Sequence, residues 1–583
     1  MKYYVLTLLL LILNIIICQE EPEVEEDPER GSFDWLGTLL VSIFYLFVLW
    51  VGIWSSRKQK DTTPEEMLLA GRNLGGFVGV LTLLSTWYCA GTIYSNAEMV
   101  SSAGILNTQS VGCYAICFWV GAIFFVEKLR SGNYLTMLDP FQYKFGPKLT
   151  SLLYLPEVLA DVCWIGSTFS ALGSCLSTLI GIPPWLGVTV SAVFSAIYTF
   201  FGGMYAVAYT DVVQFIVLFV CLWGCVPFVY TSPLVGKVSD FKDVWIGSIE
   251  MKYFGDYLDT TIMLICGSIP VQIYVQRILS VRSAKDAKTI SIWCGIGNIV
   301  CDTATVLLAI AAASADWSKT PIKTLVGHHA HTMTYILKYL VPKAVSYIGL
   351  GAISAATMST ADSLLLAASG MFTMNIYQPF LRPKASPREI TIATKLSVIV
   401  VTIIGIVLAL TAKSLYELLL LSSDFVFILL FPQFILVLWY PKYNSYGCLF
   451  SYIISLFFRA GAGIEVFGIP TFINYPSGVP YKTIIVFIAI IIAVLLSELS
   501  HYFIITKGKL NYDFLHQYVN GDVNEEVQSY PNNEEDEIDK DKKRLALGAQ
   551  TIVEVPMENT QLSSNNNLPF NNNNNNSIDD KEN

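Results

Sequence analysis

The sequence predicts an all-α polytopic membrane protein with about thirteen transmembrane helices, and two observations support this fold class. Of the 583 residues, 54% are hydrophobic and only 14% are charged, whereas a soluble globular chain carries roughly 25% charged residues. Past the N-terminal leader, thirteen apolar runs are long enough to cross a bilayer. These runs lie near residues 35–54, 75–97, 109–127, 150–178, 184–202, 206–230, 257–276, 289–313, 343–368, 389–411, 415–440, 446–468 and 483–505.

The leader is different from these runs. Its apolar stretch is too short to cross ~30 Å of hydrocarbon comfortably, which favours a signal peptide over residues 1–18; an extra membrane helix is the alternative. Residues 20–29 contain seven acidic side chains, so we expect 19–34 to be an acidic segment outside the cell. Residues 507–583 are acidic and then asparagine-rich, which is typical of a disordered tail.

The charge pattern predicts orientation rather than a charged partner. The net charge of −10 comes largely from the two ends, and no basic region indicates nucleic acid. Basic residues cluster near 57–60, 128–130, 382–388 and in the stretch from Arg277 to Lys288. All four clusters fall on one side if the mature N-terminus is outside, and basic connections are usually cytosolic. Thirteen spans then place the tail in the cytosol, and we expect a multi-pass protein of the plasma membrane.

Two of the apolar runs are interrupted. The second contains "STWYCAG" and the seventh contains "CGSIPVQ", in which Gly267 and Pro270 break the helical pattern. Membrane transporters use broken helices at matching positions of two repeats to line a cavity. The five-span separation therefore predicts two five-helix repeats, near 75–230 and 257–440, although a kinked or tightly packed helix would explain either break alone.

The ninth run carries small residues and hydroxyls. Ser359 and Thr360 are adjacent, and Ala356 lies three to four residues earlier on nearly the same face. Two hydroxyl oxygens and a carbonyl can supply part of the oxygen shell that a hard cation needs. Close helix packing is the alternative explanation for such a stretch.

Acidic residues lie within several predicted spans, where ionisable side chains usually have a function. Asp362 follows the hydroxyl pair and is a candidate coupling residue, whereas Asp161 and Asp302 receive no role from the sequence. The sequence shows no nucleophile–base pair and no metal motif, so we do not expect an enzyme.

Several longer motifs resemble those of the sodium/solute symporter family. They are "GGMYAVAYTDVVQ" (202–214), "MSTADS" (358–363) and "GMFTMNIYQ" (370–378). Four others are similar to the high-affinity choline transporter branch of that family: "TMLDPFQ" (136–142), "FSALG" (169–173), "QRILS" (276–280) and "LSSDFVFILLFPQ" (421–433). The resemblance covers roughly residues 35–505.

The resemblance implies a LeuT-like 5+5 inverted-repeat core, sodium-driven uptake and, in the choline branch, chloride dependence. It maps the family's sodium site onto the carbonyls of Ser85, Tyr88 and Ala356 and onto the hydroxyls of Ser359 and Thr360. Sodium and chloride are then co-transported ions, and no other cofactor is implied.

The same resemblance implies an aromatic box for a cationic substrate. Three of its rings map onto Trp87, Tyr114 and Trp164, whereas the position of a further tryptophan is Val271 here. We therefore expect uptake of choline or a closely related small organic cation, in a box that lacks one wall. The alternatives are a symporter for proline, a sugar or a monocarboxylate, and a membrane sensor that has kept the fold.

Overall fold

The structure is a computed structural model that describes residues 34–57, 63–411, 415–464, 468–506, 513 and 515. The predicted signal peptide, nearly all of the acidic segment 19–34 and nearly all of the tail lie outside these residues. Helices form almost all of the described chain, and the strand pairings within it are isolated bridges. The predicted all-α class is confirmed.

Fifteen helices build the membrane domain in the described part of the chain. They are α1 (Trp35–Ser56), α2 (Gly76–Trp87), α3 (Ala90–Ser102), α4 (Ser110–Val120), α5 (Pro147–Ile180), α6 (Pro184–Tyr230), α7 (Phe254–Cys266), α8 (Gln272–Leu279), α9 (Ala284–Ala313), α10 (Lys343–Phe372), α11 (Pro387–Thr411), α12 (Leu415–Phe425), α13 (Phe431–Trp439), α14 (Ser445–Gly461) and α15 (Tyr481–His501). Shorter helices lie at Pro64–Leu69, Val126–Ser131, Asp139–Phe145, Lys242–Ile246 and Thr332–Tyr339. Wider, π-helical turns at Gly121–Phe125, Thr373–Leu381, Val426–Leu430 and Tyr502–Thr506 extend α4, α10, α12 and α15.

The predicted number of thirteen spans is not confirmed. Within the described ranges, nine helical segments are long and apolar enough to cross a membrane, and the bent pair α2 and α3 makes ten. The other three predicted runs are also helical. Pro184–Ile197 is shorter, α14 has 17 residues, and 254–279 is divided between α7 and α8.

Both predicted breaks are confirmed. The second span bends by 53° between α2 and α3, where Tyr88 and Cys89 leave helical geometry. The seventh span stops at Cys266 and resumes at Gln272. A Cβ added to Gly267 would lie 2.7 Å from the Ser423 carbonyl oxygen of α12, so only glycine allows this close approach.

The helix α10 lies at the centre of the fold. It packs against α5 and α6 and also contacts α2, and its residues from 352 to 371 are all buried. By contrast, only 33–39% of the residues in the apolar stretches of α1, α11 and α15 are buried, as is usual for lipid-facing helices. The hydroxyls of α10 therefore lie deep inside the protein, beside the first break.

Candidate functional site

A cluster of hydroxyls joins α10 to the end of α2. The Ser85 and Ser359 hydroxyl oxygens are 2.8 Å apart, and the Thr360 hydroxyl donates to the carbonyl oxygen of Thr86 at 3.0 Å. All four residues are fully buried. Because α2 ends at Trp87, the carbonyls of its last turn lack helical partners, and the side chains of α10 reach them.

The other two predicted sodium ligands lie next to this cluster in the chain. Tyr88 is the first residue beyond α2, and its hydroxyl donates to the Cys301 carbonyl of α9 at 2.8 Å. Ala356 is fully buried one turn before Thr360 on α10. The structure thus brings Ser85, Ser359 and Thr360 together, while the ligand roles of all five residues stay predictions.

A buried ion pair borders the hydroxyl cluster, and the sequence did not predict it. The Ser359 hydroxyl donates to Asp211 Oδ1 at 2.5 Å, and Arg277 Nη2 lies 3.6 Å from Asp211 Oδ2. Both charged side chains are 0% exposed. The interpretation of Arg277 as a basic loop residue was wrong: it lies inside α8, and its charge is paired within the protein. The sequence does show an acid and a base that each lie in an apolar stretch. Their pairing could not be predicted, because the two residues belong to spans that are distant in the chain.

The other mid-span acids differ in their partners. Asp302 accepts hydrogen bonds from Asn96 Nδ2 at 2.9 Å and from Asn298 Nδ2 at 2.6 Å, so it belongs to a buried network between α3 and α9. Asp362 is fully buried beside the Ser195 hydroxyl, although no hydrogen bond of normal length joins them. Its coupling role stays a prediction.

The three predicted box rings come together beside the first break. The Trp87 ring centroid lies 5.4 Å from those of Tyr114 and Trp164, and both pairs are nearly perpendicular. Phe118, one turn after Tyr114 on α4, packs on Trp87 at 5.0 Å. This fourth ring was not predicted, because an aromatic residue in an apolar run is an ordinary core residue by its sequence.

A small cavity separates these rings from the second break. Tyr114 and Trp164 line it together with Asp161, Ser268 and Val271, and α12 closes the other side. The free space is about that of one water molecule, so this conformation is closed around the cavity. Val271 is the residue immediately before α8, which places the predicted missing wall at the cavity.

The second break is anchored by an acid on α5. Glu157 Oε1 accepts the backbone N–H of Gln272, the first residue of α8, at 2.8 Å. The carboxylate is fully buried. A helix N-terminus carries partial positive charge, so an acid at this position stabilises the restarted helix.

A central helix, two broken spans and polar groups at their ends define a class of protein: a multi-pass membrane transporter of the symporter type. The family model of the sodium:solute symporter family matches residues 67–455. The chain belongs to this family.

Individual relatives and a solved structure agree with this assignment. The chain is 36% identical over 509 residues to the high-affinity choline transporter 1 of Drosophila melanogaster, covering 84% of this chain and 82% of the relative. Against the human high affinity choline transporter 1 it is 35% identical, over 80% and 85% of the two chains. A solved Na+-coupled sialic acid symporter superposes with a TM-score of 0.67 at 17% identity, covering 80% of this chain and 98% of that one. The predicted LeuT-like fold and the resemblance to choline transporters are confirmed.

Proposed function

We propose that this protein couples sodium entry to the uptake of choline or a closely related small organic cation. The observation that carries the proposal is the position of two clusters on one half-helix. Ser85 of the hydroxyl cluster and Trp87 of the aromatic cluster are two residues apart at the end of α2. An ion at the first cluster and a substrate at the second would therefore act on the same short segment.

Sodium would take up oxygen ligands that now bond to one another. The Ser359 hydroxyl donates to Asp211 and the Thr360 hydroxyl donates to the Thr86 carbonyl. Rotation of each hydroxyl would turn a lone pair toward the ion. The carboxylate of Asp211, which is paired with Arg277 and accepts from Ser359, holds the Ser359 hydroxyl beside this space. Sodium binding would thereby fix α2 against α10, and the half-helix would carry Trp87 with it.

The aromatic cluster supports a cationic substrate. A ring face contributes about 0.5–2 kcal/mol to the binding of a quaternary ammonium. Trp87 contacts the rings of both Tyr114 and Trp164, which makes a set of three rings, and Val271 leaves the fourth side apolar without a ring. A neutral or anionic solute would gain less from such a set.

Chloride dependence, the plasma membrane and the orientation are further parts of the proposal. The N-terminus would lie outside and the tail inside, with a cleaved leader over 1–18 and repeats near 75–230 and 257–440. An epitope tag after Asn583 should be reached by antibody only in permeabilised cells. Labelling of intact cells at this tag would contradict the orientation.

Radiolabelled choline uptake in expressing cells tests the function. Replacing sodium chloride with lithium chloride should abolish uptake, and replacing chloride with gluconate at constant sodium should reduce it. A single sodium ion crossing ~100 mV supplies about 2.3 kcal/mol, enough for about a 50-fold gradient of a neutral solute. Choline uptake that persists unchanged without sodium would refute the coupling. Sodium-dependent uptake of proline, a sugar or a monocarboxylate, with no choline uptake, would favour a symporter for another solute. No uptake of any of these solutes would favour a membrane sensor.

A further inference from the structure

Asp161 is a buried acid that the candidate sodium site and the aromatic cluster leave without a role. It lies on α5, three residues before Trp164 and therefore on the same face of the helix. The residue is 1% exposed and lines the cavity together with Trp164, Tyr114 and Val271. The carboxylate and the indole thus border the same space.

No partner for this carboxylate is found in the described part of the chain. Neither oxygen of Asp161 receives a hydrogen bond there. Its ionisable neighbours are Glu157, one turn earlier on α5, and Tyr154, and neither can carry positive charge. Buried carboxylates are normally paired or hydrogen-bonded, because desolvation of an isolated charge is costly. A cation entering the cavity would supply the missing partner.

Three other buried acids of the spans do not combine an unpaired carboxylate with a position at the cavity. Both oxygens of Asp302 accept hydrogen bonds from asparagine side chains. Asp211 is paired with Arg277 and accepts from Ser359. Asp362 also lacks a hydrogen bond of normal length, but it is not among the residues that line the cavity. Among the residues that the structure describes, Asp161 alone combines an unsatisfied carboxylate with the cavity that the aromatic rings border.

We propose that Asp161 is the counter-ion of the substrate, and that its carboxylate pairs with the positively charged nitrogen while the rings of Tyr114 and Trp164 cover the carbon atoms around it. This inference rests on the proposed function and narrows its substrate class to small organic monocations, selected by charge as well as by ring contact. It also explains how a box with Val271 in place of a ring holds a cation. Protonated amines belong to the same class, because an N–H can donate to the carboxylate.

The test compares choline with its uncharged isostere, 3,3-dimethylbutan-1-ol. The full-length wild type and Asp161→Asn are expressed, and each compound is titrated against tracer choline uptake. We expect the wild type to prefer choline by at least about 30-fold, since close opposite charges attract strongly in a buried site. In Asp161→Asn the preference should fall at least about tenfold, to the part that the aromatic rings supply. The matched control Asp161→Glu keeps the charge and should keep most of the preference.

The preference ratio separates recognition from folding. A residue with only a structural role would change the amount of protein or both affinities together, and the ratio would stay. If uptake by Asp161→Asn is too low to measure, binding is measured instead. The readout is then the shift of Tm that each compound causes in the detergent-solubilised protein. An unchanged ratio in Asp161→Asn overturns the inference. If this variant does not reach the surface, the Tm shifts are measured on Asp161→Asn solubilised from whole cells, and an unchanged ratio there overturns the inference as well. A wild type that neither transports nor is stabilised by choline refutes the proposed function instead.

Discussion

The two broken spans present opposite ends of their half-helices at the site. The helix α2 ends at the first break, so free carbonyls lie there, and the carbonyl of Thr86 accepts the Thr360 hydroxyl. The helix α8 begins at the second break, so free N–H groups lie there, and that of Gln272 is bound by Glu157. A helix carries partial negative charge at its C-terminus and partial positive charge at its N-terminus. The helix-end charges therefore favour a cation at the first break and an acid at the second.

The largest effect is expected at the first break. The double substitution Ser359→Ala with Thr360→Ala removes two of the α10 hydroxyls that face the end of α2. Hydrogen bonds to charged groups contribute about 1.5–3 kcal/mol each, so loss of two oxygens around an ion predicts a decrease of more than about 100-fold in sodium-dependent uptake. Uptake as a function of sodium concentration measures it.

The matched control for this double substitution is Ser369→Ala. Ser369 is a fully buried serine of the same helix whose hydroxyl has no described hydrogen-bond partner, so its loss should leave uptake unchanged. Normal sodium dependence in the double variant, at equal surface amount, would mean that the ion binds elsewhere.

The aromatic cluster should show a smaller effect that is specific to cations. Trp87→Ala and Trp164→Ala each remove one ring face, which predicts an apparent KM for choline about 5–30-fold higher, or about 1–2 kcal/mol. The corresponding phenylalanine variants keep a ring and should lose less. An equal loss in alanine and phenylalanine variants would show that the indoles serve packing and not cation binding.

Adding a ring at the second break should act in the opposite direction. Val271→Trp places an indole at the cavity and should lower the apparent KM for choline by up to about 5–30-fold. The closed cavity is too small for an indole, so closure should be hindered and the maximal rate should fall as well.

Val271→Leu is the control for Val271→Trp, because it enlarges the side chain without adding a ring. The choline proposal would be contradicted if Val271→Trp lost choline uptake while the wild type carried a non-cationic solute well. The proposal of a sodium symporter would then remain, with a different substrate.

The smallest change in uptake is expected for the anchor of α8. Glu157→Ala leaves the buried N–H of Gln272 without its acceptor, which costs about 1–3 kcal/mol of stability. The thermal unfolding midpoint in detergent should therefore fall, while the sodium dependence of the remaining uptake should stay. Glu157→Gln keeps an acceptor oxygen and should lower the midpoint less. Equal shifts in both variants would show that the negative charge is what matters at this helix end.

The sequence determined the helical class, the places of both breaks and the family. These features depend on local properties: hydrophobicity over the length of a span, Gly267 and Pro270 within an apolar run, and motifs that can be compared directly. Ser359 and Thr360 were also recognisable, because adjacent hydroxyls are unusual in such a run.

The tertiary structure decided which polar groups are neutralised inside the protein. By its position in the chain Arg277 is expected to be a charged residue of a cytosolic loop. Only the packing of α8 against α2, α9 and α10 places it at Asp211 of α6. The sequence assigns no role to either Asp161 or Asp302. In the structure Asp161 lines a cavity, whereas Asp302 accepts hydrogen bonds from asparagine side chains. Whether a buried charge is paired depends on groups that approach it from other spans. A linear pattern of hydrophobicity carries no information about the distances between residues of different spans.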